Sequence, residues 1–307
     1  MKRWHANLLL LLAGAIWGMG FVAQASAMDS IGPYLFVALR FIVASLVILP
    51  FTLLEARSVA TQRSPSSGNV QPMSCLGTRD LLNFGLIGLC LFIGMATQQV
   101  GLLTTSVTNS GFLTGLYVVF TPIIGILLFR NVPHPITWVA AILALIGIYY
   151  LSGGDLSQLV AGDFLTIVSA SFWALQVVLI ARFVGQSGRA LALSQVQFAV
   201  TAILALIVAV IFEPIEWQAI RSAAPQILYA GIFASGLAFT IQVIGQRYTS
   251  APQAAILLSA EAPFAAWFAY LWLDEKIAAI GFLGCMFILL AMLLVELAPI
   301  WRKKTSM

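Results

Sequence analysis

Ten long apolar runs, separated by short polar connections, constrain this chain more than any other feature of its sequence. A membrane-spanning helix needs about 20 mostly apolar residues, because the hydrocarbon core of a bilayer is about 30 Å thick. Each run is close to that length, so the pattern predicts ten transmembrane helices. The ten predicted spans are Leu8–Ala27, Ile31–Leu54, Leu81–Leu103, Ser106–Phe129, Ile136–Ser152, Phe164–Arg182, Ala190–Phe212, Ile227–Gln246, Ala251–Leu273 and Ile277–Ala298.

The overall composition excludes the soluble classes of protein. Hydrophobic residues make up 61% of the 307 residues and charged residues 8%, whereas soluble domains carry about 25% charged residues. Such a chain cannot cover itself with a hydrated surface, which excludes a soluble enzyme, a nucleic-acid-binding protein and a disordered protein. The three cysteines and two histidines are too scattered for a disulfide framework or a zinc site. We therefore predict an all-α polytopic membrane protein in a lipid bilayer, with no cofactor, metal site or nucleic-acid partner.

Two segments need separate interpretation. Residues 55–80 are rich in Ser, Pro, Gly, Gln and Arg, so we predict a mobile loop there and no further domain. The first run resembles a cleavable signal peptide, since Lys2 and Arg3 precede it and Ala25-Ser26-Ala27 ends it. We expect it to be a helix of the folded protein instead, because the second half of the chain contains an equivalent run.

The positively charged residues predict the orientation in the membrane. If the N-terminus is cytoplasmic, twelve of the 15 Lys and Arg residues fall in cytoplasmic segments. Only Arg221 and Lys276 fall in segments on the other side of the membrane, and Arg40 lies within a span. Cytoplasmic loops carry an excess of Lys and Arg in membrane proteins. The bias therefore predicts a multi-pass protein of the cell inner membrane with both termini in the cytoplasm.

The two halves of the sequence resemble each other. Ten spans divide into five and five, and an odd number of spans in each half turns the second half upside down relative to the first. Gapless shifts of 144, 156 and 157 residues align equivalent spans. The aligned pairs are Trp17 with Trp173, Arg40 with Gln197, Gln98 with Gln242, and Tyr117 with Glu261. We predict two inverted five-helix repeats, residues 1–153 and residues 154–307, the second ending in a short basic cytoplasmic tail.

Several motifs carry a family resemblance. They are Ala15-Ile16-Trp17-Gly18, Leu39-Arg40-Phe41, the segment from Ser110 to Phe120, Tyr248-Thr249-Ser250, the segment from Ser259 to Phe264, and Leu273-Asp274-Glu275. With them the whole chain resembles the EamA-type permeases of the drug/metabolite transporter (DMT) superfamily. The resemblance implies a ten-helix transporter, most often an exporter, whose cavity lies between the two halves. It does not fix the substrate, because the superfamily transports amino acids, other metabolites and drugs.

Two charged residues lie near the middle of predicted spans. A charge at that depth costs a few kcal/mol or more, so Arg40 and Glu261 must face a cavity or have polar partners. As functional residues, Arg40 would bind an anionic group of the substrate, and Glu261 would bind an amine or carry a proton. As structural residues, Arg40 would be paired locally, and Glu261 would cap the helix kink at Pro263. The sequence leaves both interpretations open.

Uncharged residues complete the predicted cavity. Trp17 and Trp173 are at mid-span, although tryptophans usually lie at membrane interfaces, so they could form aromatic walls or simply pack between helices. The repeat alignment puts Gln98 and Gln242 at mirrored depth and places unlike polar groups opposite each other. The predicted cavity residues are Trp17, Arg40, Gln98, Tyr117, Trp173, Gln197, Gln242 and Glu261, with Glu261 as the candidate proton carrier.

These observations favour a secondary transporter that exports a small-molecule substrate by alternating access. The chain has no Gly-x-x-x-x-Gly-Lys-Ser/Thr motif for ATP and no catalytic set of residues. Aromatic and unlike polar groups favour amino acids, especially apolar or aromatic ones. A passive channel or uniporter of the same fold and a multidrug efflux carrier remain alternatives. The oligomeric state is not fixed by the sequence, which is compatible with a monomer.

Overall fold

The computed structural model describes residues 1–61, 76–151, 160–274, 276 and 279–305. Within these residues the chain folds into fourteen α-helices and one π-helical segment, without strands. The helices are α1 (Arg3–Ala27), α2 (Pro33–Thr61), α3 (Thr78–Gly101), α4 (Val107–Thr114), α5 (Tyr117–Phe129), α6 (Pro135–Leu151), α7 (Ala161–Ser187), α8 (Ala190–Phe212), α9 (Trp217–Ser222), α10 (Ala224–Tyr229), α11 (Ala238–Gln246), α12 (Ala251–Leu258), α13 (Glu261–Trp272) and α14 (Ala279–Thr305), with the π segment Ala230–Leu237 between α10 and α11.

The predicted fold class, an all-α polytopic membrane protein, is confirmed. Eight helices in the described residues are long and apolar enough to cross a membrane, and α6 and α14 contain shorter apolar stretches. Three of the eight are composite: α4 with α5, α10 with the π segment and α11, and α12 with α13. Two boundaries differ from prediction. The loop expected from Glu55 is helical as far as Thr61, and the tail expected after Ala298 is helical as far as Thr305; residues 62–75 and the predicted repeat boundary at 153–154 lie outside the described residues.

The packing of the helices is symmetric between the two halves. If each helix is replaced by its counterpart in the other half, the same pairs of helices are in contact. Helix α2 packs against its counterpart α8, and α6 packs against its counterpart α14. Helix α3 packs against α7, and the equivalent pair, α11 and α1, is also in contact. A two-fold axis in the membrane plane, as expected for inverted repeats, produces this pattern.

A carboxylate from α2 holds the start of α8. Glu55 accepts hydrogen bonds from the backbone N–H groups of Leu191 and Ala192, both at 3.1 Å. The first N–H groups of a helix have no partner within the helix, so this carboxylate acts as a cap supplied from another helix. Arg189 also donates to Glu55, at 3.2 Å. We call this arrangement the first carboxylate clamp.

A second carboxylate clamp repeats the arrangement at the other end of the same helix pair. Glu213 directly follows α8 and accepts hydrogen bonds from the backbone N–H groups of Tyr34 and Leu35, at 2.9 and 2.7 Å. Helix α8 has 23 residues, so the clamps are about 34 Å apart at 1.5 Å per residue. Helices α2 and α8 are therefore antiparallel, and the start of each is capped by a carboxylate at the end of the other.

A pair of hydroxyl contacts shows the same symmetry. The hydroxyl of Thr249 donates to Oδ1 of Asn7 at 3.0 Å, and the hydroxyl of Thr105 donates to Oδ1 of Asp163. The two threonines are 144 residues apart, and Asn7 and Asp163 are 156 residues apart. The sequence shifts that align the halves therefore align individual hydrogen bonds as well.

These contacts define two faces of the molecule. We call the face that contains Asn7, Glu55 and Arg189 the basic face. The face that contains Asp163 and Glu213 is the opposite face.

Two composite helices break at the same register of the repeat. Helix α4 ends at Thr114 and α5 begins at Tyr117, while α12 ends at Leu258 and α13 begins at Glu261. Both boundaries differ by 144 residues, which is the shift that aligns these spans. The two breaks thus place Tyr117 and Glu261 at equivalent positions in the two halves.

The local causes of the two breaks differ. Pro263 has no N–H to donate to the carbonyl of Ser259, which accepts from the N–H of Ala262 at 3.1 Å instead. In the first half the break contains Gly115, a residue of low helix propensity, and its carbonyl accepts from the N–H of Val118 at 3.0 Å. Both breaks are tightened turns that keep their backbone groups paired, as the membrane interior requires.

Loss of the second carboxylate clamp should destabilise the protein. We expect Glu213→Ala to lower the free energy of unfolding by about 1–2 kcal/mol, because the first N–H groups of α2 lose their cap. Denaturant titration of the purified protein in detergent micelles measures this change. Glu216→Ala is the matched control, since Glu216 is exposed and caps nothing with its side chain. Equal stability of the two variants would contradict a role for the clamp.

Candidate functional site

A cavity lies at the centre of the molecule, between the two halves. Its volume is about 30 Å³, which is room for one or two water molecules, so no metabolite fits in this conformation. Helices of both repeats contribute side chains to it. The lining residues are Trp17, Phe21, Gln24, Arg40, Met95, Gln98, Thr114, Tyr117, Trp173, Val177, Phe239, Gln242, Leu258 and Glu261.

The sequence predicted eight cavity residues, and the structure brings seven of them together. Trp17, Arg40, Gln98, Tyr117, Trp173, Gln242 and Glu261 all line the cavity. The eighth, Gln197, does not line it. Its Oε1 accepts a hydrogen bond from Gln176, and its backbone packs against Gly88 of α3. The prediction was wrong for Gln197 because a buried amide in an almost uniformly apolar span carries no signal of helix rotation.

Glu261 is buried at the start of α13, and one oxygen of its carboxyl group has no hydrogen-bond partner in the described part of the chain. Its side chain is 4% exposed, and Oε1 has no hydrogen-bond partner among the described residues. The hydroxyl of Tyr117 lies within electrostatic reach of this carboxyl group, but Oη also lacks a partner of hydrogen-bonding geometry. Oε1 of Glu261 therefore does not cap the kink at Pro263.

Close packing of α1 against the second break holds Glu261 in place. A Cβ at Gly14 would lie 3.1 Å from the backbone nitrogen of Glu261, and a Cβ at Gly18 would overlap Phe264 and Ala265. Only glycine allows the two backbones to approach this closely, as in the Gly-x-x-x-Gly contacts of membrane helices. The carboxyl group therefore projects from a rigid part of the cavity wall.

Arg40 lines the cavity with a fixed guanidinium group. Its Nη1 donates to Oε1 of Gln24 at 2.8 Å, and its Nε donates to the hydroxyl of Ser235 at 2.9 Å. The side chain is 1% exposed, and the rings of Phe36 and Phe41 lie 5.7 and 5.4 Å from its Cζ atom. Among the described residues the only ion pair joins Arg189 to Glu55, so no described carboxylate pairs with this buried cation.

Three aromatic rings lie in contact along one wall. The ring of Phe239 lies between those of Trp17 and Trp173, with centroid separations of 4.7 and 5.6 Å. The indole N–H of Trp17 donates to the carbonyl of Ala234 at 2.8 Å, within the π segment. The ring of Trp173 lies against Gly94 of the regular helix α3. Its indole N–H has no partner in the described part of the chain. Equivalent tryptophans thus present different chemistry.

A chain of amides orients Gln242. Its Nε2 donates to Oε1 of Gln176 at 3.3 Å, and Nε2 of Gln176 donates to Oε1 of Gln197 at 3.2 Å. The amide of Gln242 therefore has its Nε2 engaged and its Oε1 unpartnered within the described residues. On the first repeat, Nε2 of Gln98 donates to the hydroxyl of Thr114 at 2.8 Å. Gln176 and Gln197 do not line the cavity, and they affect it only by orienting the amide of Gln242.

The path from the cavity to the two faces is unequal. Toward the opposite face an apolar cluster of α1, α4 and α13 closes it, formed by Phe21, Val22, Val107, Ala265 and Ala269. Toward the basic face a much larger void of about 870 Å³ begins one helical turn away. An apolar cluster therefore separates the cavity from the opposite face, and about one helical turn separates it from the void at the basic face.

Sequence reasoning missed several lining residues. Gln24 had a usable signal, since an amide in an apolar span needs a partner and Arg40 was available. No such signal marks Met95, Thr114 and Phe239. Residues of these types are ordinary in membrane helices, and the sequence pattern does not fix the direction in which their side chains point.

Comparison with known proteins agrees with this architecture. The model of the EamA-like transporter family matches residues 4–153 and again residues 160–297. The chain belongs to the EamA-like transporter family. An uncharacterized transporter of Archaeoglobus fulgidus is 30% identical over 297 residues, which are 97% of this chain and 87% of that protein. An uncharacterized transporter of Methanothermobacter thermautotrophicus is 28% identical over 181 residues, covering 57% of this chain and 52% of that protein.

A solved structure shares the fold. A chain described only as "Crystal structure of protein" superposes with a TM-score of 0.74 over 97% of this chain and 98% of its own length, at 19% identity. At this identity the likeness establishes the fold alone.

Arg40 should depend on Gln24 for its burial. We expect Gln24→Leu to lower the free energy of unfolding by about 1–3 kcal/mol, because a buried donor of a charged group loses its acceptor. Gln24→Glu should not be destabilised, since it keeps an acceptor for the guanidinium group. Denaturant titration in detergent distinguishes the two, with Gln218→Leu on the exposed helix α9 as control. Equal losses for Leu and Glu would contradict the pairing.

Proposed function

We propose that this protein is a secondary transporter that exports small amino acid-like metabolites, apolar or aromatic ones first, by alternating access. Membership of the EamA-like transporter family supports a membrane transporter. The excess of Lys and Arg in segments of the basic face supports an inner-membrane location with that face and both termini in the cytoplasm.

Unpartnered polar atoms around the cavity carry the proposal. Tyr117 Oη, Trp173 Nε1, Gln242 Oε1 and Glu261 Oε1 are all buried and lack partners within the described residues, and all four residues line the cavity. An unsatisfied buried polar group costs about 1–3 kcal/mol. Four in one place, two of them donors or potential donors and two of them acceptors, are best explained by a polar ligand that completes their hydrogen bonds.

The charges at the cavity match a ligand with two unlike ends. Arg40 has no carboxylate partner among the described residues and can bind the carboxylate of an amino acid in a charge-assisted bond. Glu261 and the carbonyl of Gln242 are acceptors suited to an ammonium group. The contacting rings of Trp17, Phe239 and Trp173 offer an apolar surface for the side chain.

The size of the cavity supports a conformational cycle and argues against a fixed pore. A cavity of about 30 Å³ must expand to hold a metabolite, so binding and opening are coupled. The apolar cluster toward the opposite face and the void toward the basic face fit one state of an alternating-access carrier, closed to the outside.

Counterflow into proteoliposomes tests the proposal. Vesicles are preloaded with single unlabelled amino acids, nucleobases or cationic drugs, and accumulation of labelled amino acid is followed. We expect an overshoot driven by amino acids, and loss of it in Gln24→Glu, because the new carboxylate occupies Arg40. Gln218→Glu, on the exposed helix α9, is the matched control. Overshoot with cationic drugs alone would make the protein a drug carrier, and equilibration without overshoot would make it a channel.

Coupling to protons is the second part of the proposal, with Glu261 as the carrier. Its carboxyl group is buried without a cation partner in the described residues, where the charged form is strongly disfavoured. We expect Glu261→Gln to abolish the dependence of flux on pH, while Glu216→Gln at the exposed start of α9 leaves it intact. Flux measured across pH 5–9 checks this. Normal flux with unchanged pH dependence in Glu261→Gln would contradict the assignment.

A further inference from the structure

A second candidate site lies at the basic face, outside the central cavity. The void of about 870 Å³ is enclosed by the ends of α5, α7 and α11 and the starts of α6 and α12. We call it the basic vestibule. Arg130, Arg182 and Arg247 line it, and all three side chains are exposed to it or to solvent.

The vestibule is lined by positive charge without compensation. None of the residues that line it is Asp or Glu. None of its three arginines forms an ion pair with a described residue. The guanidinium group of Arg182 lies 5.4 Å from the ring of Phe129, and that of Arg247 lies 5.9 Å from the ring of Tyr248. Stacking on a ring face positions a guanidinium group while leaving its N–H donors available.

Membrane topology alone does not account for this arrangement. The positive-inside rule places Lys and Arg in loops on one side of the membrane, and Arg79 at the start of α3 satisfies it without lining the vestibule. The rule does not require three arginines, two from connections and one from the last turns of α7, to line one concave surface. It also does not require that surface to lack carboxylates.

The position of the vestibule relates it to the central cavity. Thr121 lines the vestibule one turn along α5 from Tyr117 in the cavity, and Gln246 lines it one turn along α11 from Gln242. A ligand that leaves the vestibule toward the interior therefore meets the cavity next, with Arg40 on its wall. Positive charge in a cleft with apolar walls concentrates anions there.

We propose that the basic vestibule binds the carboxylate or phosphate group of a small soluble anion through Arg130, Arg182 and Arg247, as a first station on the way to the central cavity. The proposed binding of an anion follows from the residues of the vestibule alone. The proposed role of that binding in transport rests on the proposed function. Anionic lipid headgroups offer the same chemistry from a different source, so the experiment distinguishes them.

Protection from arginine modification tests binding directly. The purified protein in neutral detergent is treated with phenylglyoxal, and mass spectrometry follows modification of each arginine with malonate, inorganic phosphate or chloride at equal ionic strength. We expect malonate and phosphate, but not chloride, to slow modification of Arg130, Arg182 and Arg247 severalfold. Exposed Arg79 and Arg221 are internal controls. Equal slowing at the controls, or no slowing at the three, would overturn the proposal.

A lipid arm separates the two sources of anion. The same modification is followed in phosphatidylcholine bilayers with and without phosphatidylglycerol. Protection by phosphatidylglycerol without protection by malonate would overturn the soluble-anion site and assign the vestibule to lipid. Protection by malonate in both bilayers supports the proposal.

Transport kinetics test the role of the vestibule separately. We expect Arg182→Gln combined with Arg247→Gln to raise KM for an anionic or zwitterionic substrate about tenfold, with little change in the maximal rate, because charge in a cleft raises the local ligand concentration by about that factor or more. Arg79→Gln is the matched control. Protection with unchanged KM would keep the binding site but overturn its role in entry, whereas absence of any flux in the wild type would contradict only the proposed function.

Discussion

Inside a bilayer, lipid tails surround apolar side chains as well as protein does, so burial of apolar surface does not select one arrangement of helices. Polar contacts between helices make that selection here. The two carboxylate clamps use Glu55 and Glu213 to cap helices of the other half, and the threonine contacts to Asn7 and Asp163 tie further helix ends together. With the ends fixed, the glycines of α1 bring it against the second break, and the cavity residues are set in place.

The skeleton of the molecule is symmetric, whereas its cavity is not. Tyr117 and Glu261 begin equivalent half-helices, yet one is a phenol and the other is a carboxylic acid. Arg40 lines the cavity, while its counterpart Gln197 lies outside it, at the far end of the chain of amides that begins at Gln242. The π segment gives Trp17 a carbonyl partner that Trp173 lacks. Inverted repeats thus provide two matching frameworks, and unlike side chains at matching positions create a cavity with two unlike ends.

The sequence predicted the framework better than the cavity. The shift of 144 residues, read from scattered identities, coincides with the boundaries of α4 and α12 and of the two breaks. The repeat spacing can be recognised in the sequence because it reflects the lengths and boundaries of the helices. The sequence does not predict the direction in which each side chain points. Gln197 was predicted in the cavity and lies behind it, and Phe239 was not predicted although it lies between the two tryptophans, because lipid and protein interior favour the same residues.

The carboxylate clamps also bear on how such a chain can be assembled from parts. Each clamp takes its carboxylate from one half and its helix start from the other. The capped N–H groups are 157 residues apart in the two clamps, and the carboxylates are 158 residues apart. A first half alone would keep Glu55 and the N–H groups of Tyr34 and Leu35, but it could not join them within one copy. Two antiparallel copies could join them twice. The contacts that unite the two halves of this chain are therefore also contacts that could hold together an antiparallel dimer of a single half.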